Sequence, residues 1–396
     1  MHPELLTLPG GFTIKTYGFC MMLGFLSAVW FAMRRAERVK ADPDVVLDIS
    51  FLCLFFGVGG ARAFYVIHYW KTQFADAPNR LMAIVDITNG GLEFLGGFLG
   101  AVLATVVYGR LKKRSLRLYL DIMAPGAMWG LAFGRVGCFF NGCCFGGLAV
   151  AATGEAVHPW AVRFPCSSPA HVRHWEDRQV TLPAELVTVT KEMLQPWPLP
   201  DRLLEMSVER REGPEREAQN LREALTSAKA SNVGSASIQQ LTEAAAAAEK
   251  RLESHRSEIS SLFAAQRFPS RVNAARPTSV SELQKQAAKC LSQPVHPTQL
   301  YAAGQAMFLS LLLSAVFTHR RRHGMVIGLL LLLYPVQRTL EEIIRADNPH
   351  DVGGLTASQS ISVGLLVLAT AYLVYLYKIL PERSPLVARE ARADEH

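Results

Sequence analysis

The chain has 396 residues, half of them hydrophobic and 19% charged, with a mean hydropathy of +0.16. This supports a membrane protein, although one polar segment dilutes the averages. The net charge of +7 and pI near 9.1 come mostly from Lys and Arg flanking apolar runs, so topology accounts for them and gives no reason to invoke a nucleic-acid partner.

In chain order, apolar runs near bilayer-spanning length lie at about 15–33, 47–70, 90–109, 121–141, 299–318, 324–343 and 357–378. Charges interrupt them or sit at their edges: Arg62, Arg135, Arg338, Glu341, Glu342 and Arg345. The first run has neither a basic leader nor a small-residue cleavage site, and reads as a retained span. Basic clusters follow the first run (Arg34, Arg35, Arg38, Lys40), the third (Arg110, Lys112, Lys113, Arg114, Arg117), the fifth (Arg320, Arg321, Arg322) and the seventh (Lys378, Arg383). Seven crossings put all four on one side, the cytoplasmic one. The expected fold is an all-α polytopic membrane protein of about seven transmembrane helices. Its N-terminus lies outside, its C-terminus is cytoplasmic and it carries an enlarged external helical head. The expected segments are 1–147 with four spans, an external insert over 148–295, 296–380 with three spans, and a cytoplasmic tail over 381–396.

The densest chemistry closes the fourth run: Gly134-Arg135-Val136-Gly137-Cys138-Phe139-Phe140-Asn141-Gly142-Cys143-Cys144-Phe145-Gly146-Gly147. A guanidinium in hydrocarbon is costly unless it is paired or faces water, and its planar fork matches phosphate oxygens. Glycines at this density let a ligand or another backbone approach closely. The stretch therefore points to an intramembrane site for an anion such as a lipid phosphate.

The insert opens on Pro and aromatic residues, then becomes rich in Glu, Ala, Arg and Leu. Asn220–Ala230 and Ile238–Phe263 read as amphipathic helices broken at 231–234, which suggests a helical hairpin over 201–265. Either a solvated structural arm or a docking surface fits. Cys20 and Cys53 sit in apolar runs as packing residues. Cys166 and Cys290 bracket the insert, where an oxidising compartment would allow a disulfide. Cys138, Cys143 and Cys144 lack the C-x-x-C spacing of a zinc or redox motif.

Two further motifs follow. His296-Pro297-Thr298-Gln299-Leu300-Tyr301 opens the fifth run, where Thr and Gln would cap a helix and leave an imidazole and an amide available. Arg338, Glu342 and Arg345 stand at i, i+4 and i+7, one face of a helix. They fit either an anion grip with an orienting carboxylate or a structural ion-pair ladder.

With these motifs in order, the chain resembles the prolipoprotein diacylglyceryl transferases of bacterial inner membranes. The resemblance rests on Tyr17-Gly18, Gly90-Gly91-Leu92 with Gly96-Gly97, Gly134-Arg135 through Asn141-Gly142 to Gly146, the His296–Tyr301 motif, Arg338 through Asp347, and Leu355-Thr356 with Gln359. It covers about 10–147 and 294–380 and leaves the long insert outside. It implies transfer of the diacylglyceryl group of phosphatidylglycerol to the lipobox cysteine of exported prolipoproteins, forming a thioether and releasing glycerol 1-phosphate. It implies no metal or cofactor, and a multi-pass location in the cytoplasmic membrane with the active site on the external face. By resemblance Arg135 grips the lipid head, and Tyr17, Asn141, Gly146, Gly96 and Gly97 shape the lipid site. Arg338 is the second essential arginine, with Glu342 and Arg345 orienting it and balancing charge.

One departure stands out. Much of the family carries histidine, a proposed base, where this chain has Leu95. Three explanations stay open: the histidine is dispensable beside the arginines, Glu93 or His296 replaces it, or the reaction is lost or altered. Non-catalytic alternatives are an anion or lipid transporter and a lipid-binding scaffold; the absence of an internal repeat counts against the first.

Overall fold

The computed structural model describes residues 4–7, 13–70, 74–75, 79–86, 91–151, 156–183, 186–189, 196–198, 208–230, 235–264, 280–345 and 356–379. Gly90, Asp347, Leu355 and the tail over 381–396 lie outside these residues. The described residues divide into two compact units: those within Met1–Met21, Gly134–Tyr301 and Ile344–Asn348, and those within Met22–Phe133, Ala302–Ile343 and Pro349–His396.

Every one of the seven apolar runs is helical. They form α1 (Thr16–Arg38), α2 (Pro43–His68), α4 (Phe94–Leu111), α5 (Leu116–Asn141), α10 (Thr298–His319), α11 (Met325–Ile344) and α12 (Ala357–Val374). Four are long and apolar enough to cross a membrane: α1, α2, α10, and α12 with the π turn that extends it to Lys378. α4 is shorter, with its apolar part at Leu95–Leu111. Local signals set several ends. Asp42 accepts from Asp44 N (3.1 Å) ahead of Pro43 at the start of α2, whose fixed φ suits a first turn. Thr356 and Gln359 form a reciprocal capping box on α12.

The second unit packs around Ile49, Val46, Ile122, Leu313 and Val326, all under 3% exposed. Asp121, fully buried in α5, accepts from Gly324 N (2.6 Å) and Ile327 N (2.8 Å), so it satisfies two backbone donors at the start of α11. α2 and α4 meet at backbone contact. A Cβ on Gly60 would lie 2.5 Å from the Gly96 carbonyl oxygen, and one on Gly96 would run into Gly60 O and Phe64 Cβ. Arg62, the charge inside α2, donates to the carbonyls of Ala83 (2.7 Å), Ile84 (2.8 Å) and Gly91 (2.9 Å). Ala83 and Ile84 belong to α3 (Arg80–Val85).

In the first unit, β1 (Glu4–Thr7) pairs antiparallel with β2 (Thr13–Lys15), and a second small ribbon joins β3 (Val187–Val189) to β4 (Pro196–Pro198). The insert is closed at its base. Leu148 and Val162 both bridge to Val295, Ala149 N donates to Pro294 O (2.9 Å), and Ser292 N donates to Phe164 O (2.9 Å). Phe145, Phe164, Ala170 and Val295 make the small core there. The hairpin consists of α7 (Val208–Ala230) and α8 (Ser235–Ala264), followed by α9 (Val280–Ala287). α7 begins at Val208 rather than Asn220, because its first half is polar all round and shows no apolar stripe. Ala218, Ala248, Leu252 and Leu221 fill the hairpin seam, and Arg222–Glu249 (2.8 Å), Arg251–Glu217 (3.5 Å) and Arg256–Glu215 (2.5 Å) pair across it. No disulfide joins Cys166 to Cys290; both are thiols, and Cys166 packs beside Ser167.

α6 (Pro169–Glu176), which periodicity did not reveal, buries His171 (1% exposed) and His174 (4%). Burial, with His174 beside it, pushes His171 down from 6.5 to about 4. The unfolded chain therefore takes up a proton at higher pH than the folded one does. Stability present above pH 6.5 is lost as pH falls toward 4, by about 3 kcal/mol for the full shift. Protection factors across α6, which divide out the intrinsic pH dependence of amide exchange, are expected to fall on acidification from pH 7 to 4.5, and His171→Phe should flatten that response. Unchanged protection factors in the parent protein over this range would rule the effect out.

Candidate functional site

The end of α5 and the turn after it organise the first unit. Gly142 (φ +69°) and Cys144 (φ +60°) both take left-handed backbone, easy for the glycine and strained for the cysteine. The turn therefore doubles back: Cys143 N donates to Cys138 O (3.2 Å). The His296–Tyr301 motif holds it there. Thr298 Oγ1 donates to Cys144 O (2.8 Å), Gln299 Nε2 to Cys143 O (2.7 Å), Gly146 N to His296 O (3.0 Å), and His296 N to Gly147 O (3.1 Å). Thr298 and Gln299 thus clamp the glycine turn instead of capping α10, and Gln299 is 1% exposed, so it is a positioning residue. A Cβ on Gly146 would lie 2.8 Å from both His296 O and His296 Cβ, so the two motifs touch at backbone distance.

Around this turn stand most of the expected lipid-site residues. Tyr17 packs on Gly137, where an added Cβ would lie 3.0 Å from its ring, and Tyr17 also feels the charge of Arg135. Asn141 closes α5 and its side chain hydrogen-bonds Cys143. Arg345 lies one residue past the end of α11, in an antiparallel bridge with Gly146. Helical spacing therefore does not govern Arg345, contrary to the i+7 reading: the chain leaves the helix at Ile344, whose carbonyl accepts from Gly147 N (2.8 Å).

The three thiols of the turn, set aside on spacing grounds, are brought together: the Sγ atoms of Cys138, Cys143 and Cys144 all lie within 4.8 Å of one another. Hydrogen bonds from Cys138 and Cys143, with Arg345 and Arg135 further out, hold the Cys144 thiol well below its ordinary range against the opposing effect of burial. His296 Nδ1 sits 3.4 Å from the Tyr301 hydroxyl, and its ring lies 5.6 Å from that of His158, which stacks on Trp160. The His158 contact carried no signal in the sequence, because a break of over a hundred residues separates the two motifs.

The remaining expected residues lie in the second unit. Arg338 Nη2 pairs with Glu342 (2.7 Å) and donates to Ser358 Oγ (3.0 Å), while Nη1 reaches Glu341 (3.5 Å). The Glu342 side chain is fully buried and that of Arg338 is 13% exposed. Glu93 starts α4, and its carboxylate contacts His68 Nδ1 (2.6 Å) with no capping bond to the helix. Gly96 and Gly97 pack on α2, and Leu95 is 50% exposed, filling no core position. For the activity that the resemblance implies, Glu93→Gln is expected to change the rate by no more than about twofold, because the carboxylate is committed to an exposed imidazole; a loss above about tenfold in an assay of that activity would make Glu93 the base.

Four helices long and apolar enough to cross a membrane, with an arginine–carboxylate pair buried on α11, point to a multi-pass helical membrane protein. A family model described as prolipoprotein diacylglyceryl transferase matches residues 3–210 and 241–375, and the chain belongs to that family. Similar relatives named phosphatidylglycerol–prolipoprotein diacylglyceryl transferase include one from Rhodopirellula baltica, 34% identical over 164 residues (41% of this chain, 32% of the relative). Another, from Photobacterium profundum, is 35% identical over 171 residues (43% and 60%), and one from Bacillus licheniformis is 36% identical over 132 residues (33% and 47%). The matched segments span less than two thirds of each relative's length.

Proposed function

We propose that this chain is a transferase that moves the diacylglyceryl group of phosphatidylglycerol onto the lipobox cysteine of exported prolipoproteins. The products are the thioether-linked precursor and glycerol 1-phosphate. The observation that carries this reading is the turn at Gly142–Gly146. It holds the family signature, it is clamped by the His296–Tyr301 motif, and both Arg135 and Arg345 bear on it electrostatically. A thiolate must attack the glycerol carbon that bears the phosphate ester, and the phosphate must leave with its charge stabilised. Preorganised guanidiniums in a water-poor site suit that task. Arg135 binds the lipid phosphate, with Tyr17, Asn141, Gly146, Gly96 and Gly97 shaping the lipid site. Arg338 supplies the second cation, oriented by Glu342, and Arg345 balances charge. His296, hydrogen-bonded to Tyr301, is the proton acceptor that the residues themselves offer.

The same reading places seven spans in a bacterial cytoplasmic membrane, with the N-terminus and the 148–295 insert outside and the C-terminus within. It is supported by the four long apolar helices and by the basic clusters on alternate connections. The test is direct: purified protein in detergent is given phosphatidylglycerol and a lipobox peptide, and the peptide's mass gain and glycerol phosphate are followed together. No product from a preparation that still binds the lipid would return the scaffold reading and make Leu95 the mark of a lost activity.

A further inference from the structure

We propose that Cys138, Cys143 and Cys144 form a site for one thiophilic d10 cation, Zn2+ being the probe, with a fourth position open to an outside thiol. The geometry comes first. The three sulfurs already lie within 4.8 Å of one another, all half-buried. A tetrahedral zinc with bonds of about 2.3 Å needs its sulfurs about 3.8 Å apart, so closure asks for about 1 Å at most, within reach of side-chain rotation. The backbone that brings them together is held on both sides. Cys138 belongs to α5, and the carbonyls of Cys143 and Cys144 are fixed by Gln299 and Thr298.

Charge decides what kind of ion fits. Arg135 and Arg345 both bear on Cys144, and two guanidiniums repel a bare cation at a neutral donor set. Three thiolates around Zn2+ carry a net charge of −1, and the same arginines then stabilise the complex. Thiolate donors select Zn2+ or Cu+ over hard cations such as Mg2+ or Ca2+. Among the described residues no His, Asp or Glu joins the three sulfurs, so the set matches an open site with three protein ligands, not a closed structural one.

Resting on the transferase reading, the site answers the departure at Leu95. Coordination at the fourth position acidifies the incoming thiol, whose proton passes to His296, the acceptor proposed above. Its sulfur electron pair then forms the C–S bond to the glycerol carbon while the C–O bond to the phosphate breaks, and that electron pair leaves on the phosphate oxygen. No oxidant or reductant enters. The lipid phosphate held by Arg135 is thereby next to the sulfur that displaces it.

The whole chain in detergent, freshly reduced, is titrated with Zn2+ against a chromophoric chelator, then alkylated and mapped by peptide mass. One ion per chain is expected, with Cys138, Cys143 and Cys144 protected while Cys290 still reacts. The C138S/C143S/C144S variant should lose the ion and C290S should keep it. If the triple variant fails to fold, the protection map of the parent protein decides. An absence of binding, protection that omits these three, or a disulfide among them that forms in place of zinc binding overturns the site. In the transfer assay, chelation is expected to cost at least tenfold and Zn2+ to restore it; undiminished transfer by stripped protein overturns the thiol-activation role. Zinc bound and mapped without transfer under any condition would fail the transferase reading and leave the cation site standing.

Discussion

Arg338→Ala is expected to abolish diacylglyceryl transfer, by at least about a hundredfold in kcat, and to destabilise the protein as well. Two effects combine. On the proposed function, the variant removes a fixed cation from the set that stabilises a leaving phosphate, a loss typically of about 10²–10³ for one preorganised donor. It also strands the Glu342 carboxylate, whose side chain is fully buried and whose 2.7 Å partner is the deleted guanidinium. An uncompensated buried charge costs about 3–5 kcal/mol. Activity alone therefore does not separate catalysis from folding, and a second variant is needed. Arg338→Leu with Glu342→Leu removes the tighter pair, leaves Glu341 to Gln337 (3.0 Å), and should recover most of the melting temperature in detergent, because apolar replacement of a buried pair is often neutral. It should not recover transfer. A double variant that transfers lipid would reduce Arg338 to a structural ion pair. Arg338→Lys keeps the charge but not the fork that serves Glu342, Glu341 and Ser358 together, and is expected to fall in between.

The second large effect concerns Gly60 and Gly96. Gly60→Ala would set a Cβ 2.5 Å from the Gly96 carbonyl oxygen, and Gly96→Ala would force one into Gly60 O and Phe64 Cβ. None of these partners can swing aside, since two are backbone oxygens and one is anchored on α2. Overpacking of this kind costs about 1–3 kcal/mol and more where a helix must move. That outweighs the roughly 1 kcal/mol that alanine gains over glycine in a helix. Gly59→Ala, one residue away with nothing within 4 Å, is the control and is expected to be neutral or stabilising. Thermal denaturation of the three variants in one detergent decides it; equal behaviour of Gly59→Ala and Gly60→Ala would refute the close contact. Gly96→Ala also bears on the lipid-site reading of that residue, because the packing defect would appear without lipid present.

Helix positions were legible wherever an apolar run reported a buried or lipid-facing surface, as at 299–318 and 324–343. That separate helices, α7 and α8, lie on either side of 231–234 was legible through the small polar residues there. The start of α7 was not, because Val208–Gln219 is held by charge pairs with α8 and shows no apolar stripe. The signature around Arg135 suggested an anion site through composition, since arginine among glycines in an apolar run is costly. What composition could not convey is where a chain turns back. Cys138, Cys143 and Cys144 converge through a turn at which Gly142 and Cys144 take positive φ, and their spacing of i, i+5 and i+6 does not announce it. Arg345 fitted a helical face on paper, but α11 ends one residue before it. Thr298 and Gln299 looked like a cap, yet they bond to carbonyls about 155 positions earlier in the chain.

The ladder at the foot of the insert has an architectural consequence. Leu148 and Val162 meet Val295, so residues 148 and 295 are neighbours whatever lies between them. The helical core experiences the intervening chain as a loop with its ends already tied. Each doubling of such a loop costs only about 0.6 kcal/mol in closure entropy. The length of the insert is thereby decoupled from the geometry at its own base, where Leu148, Val162 and Val295 meet.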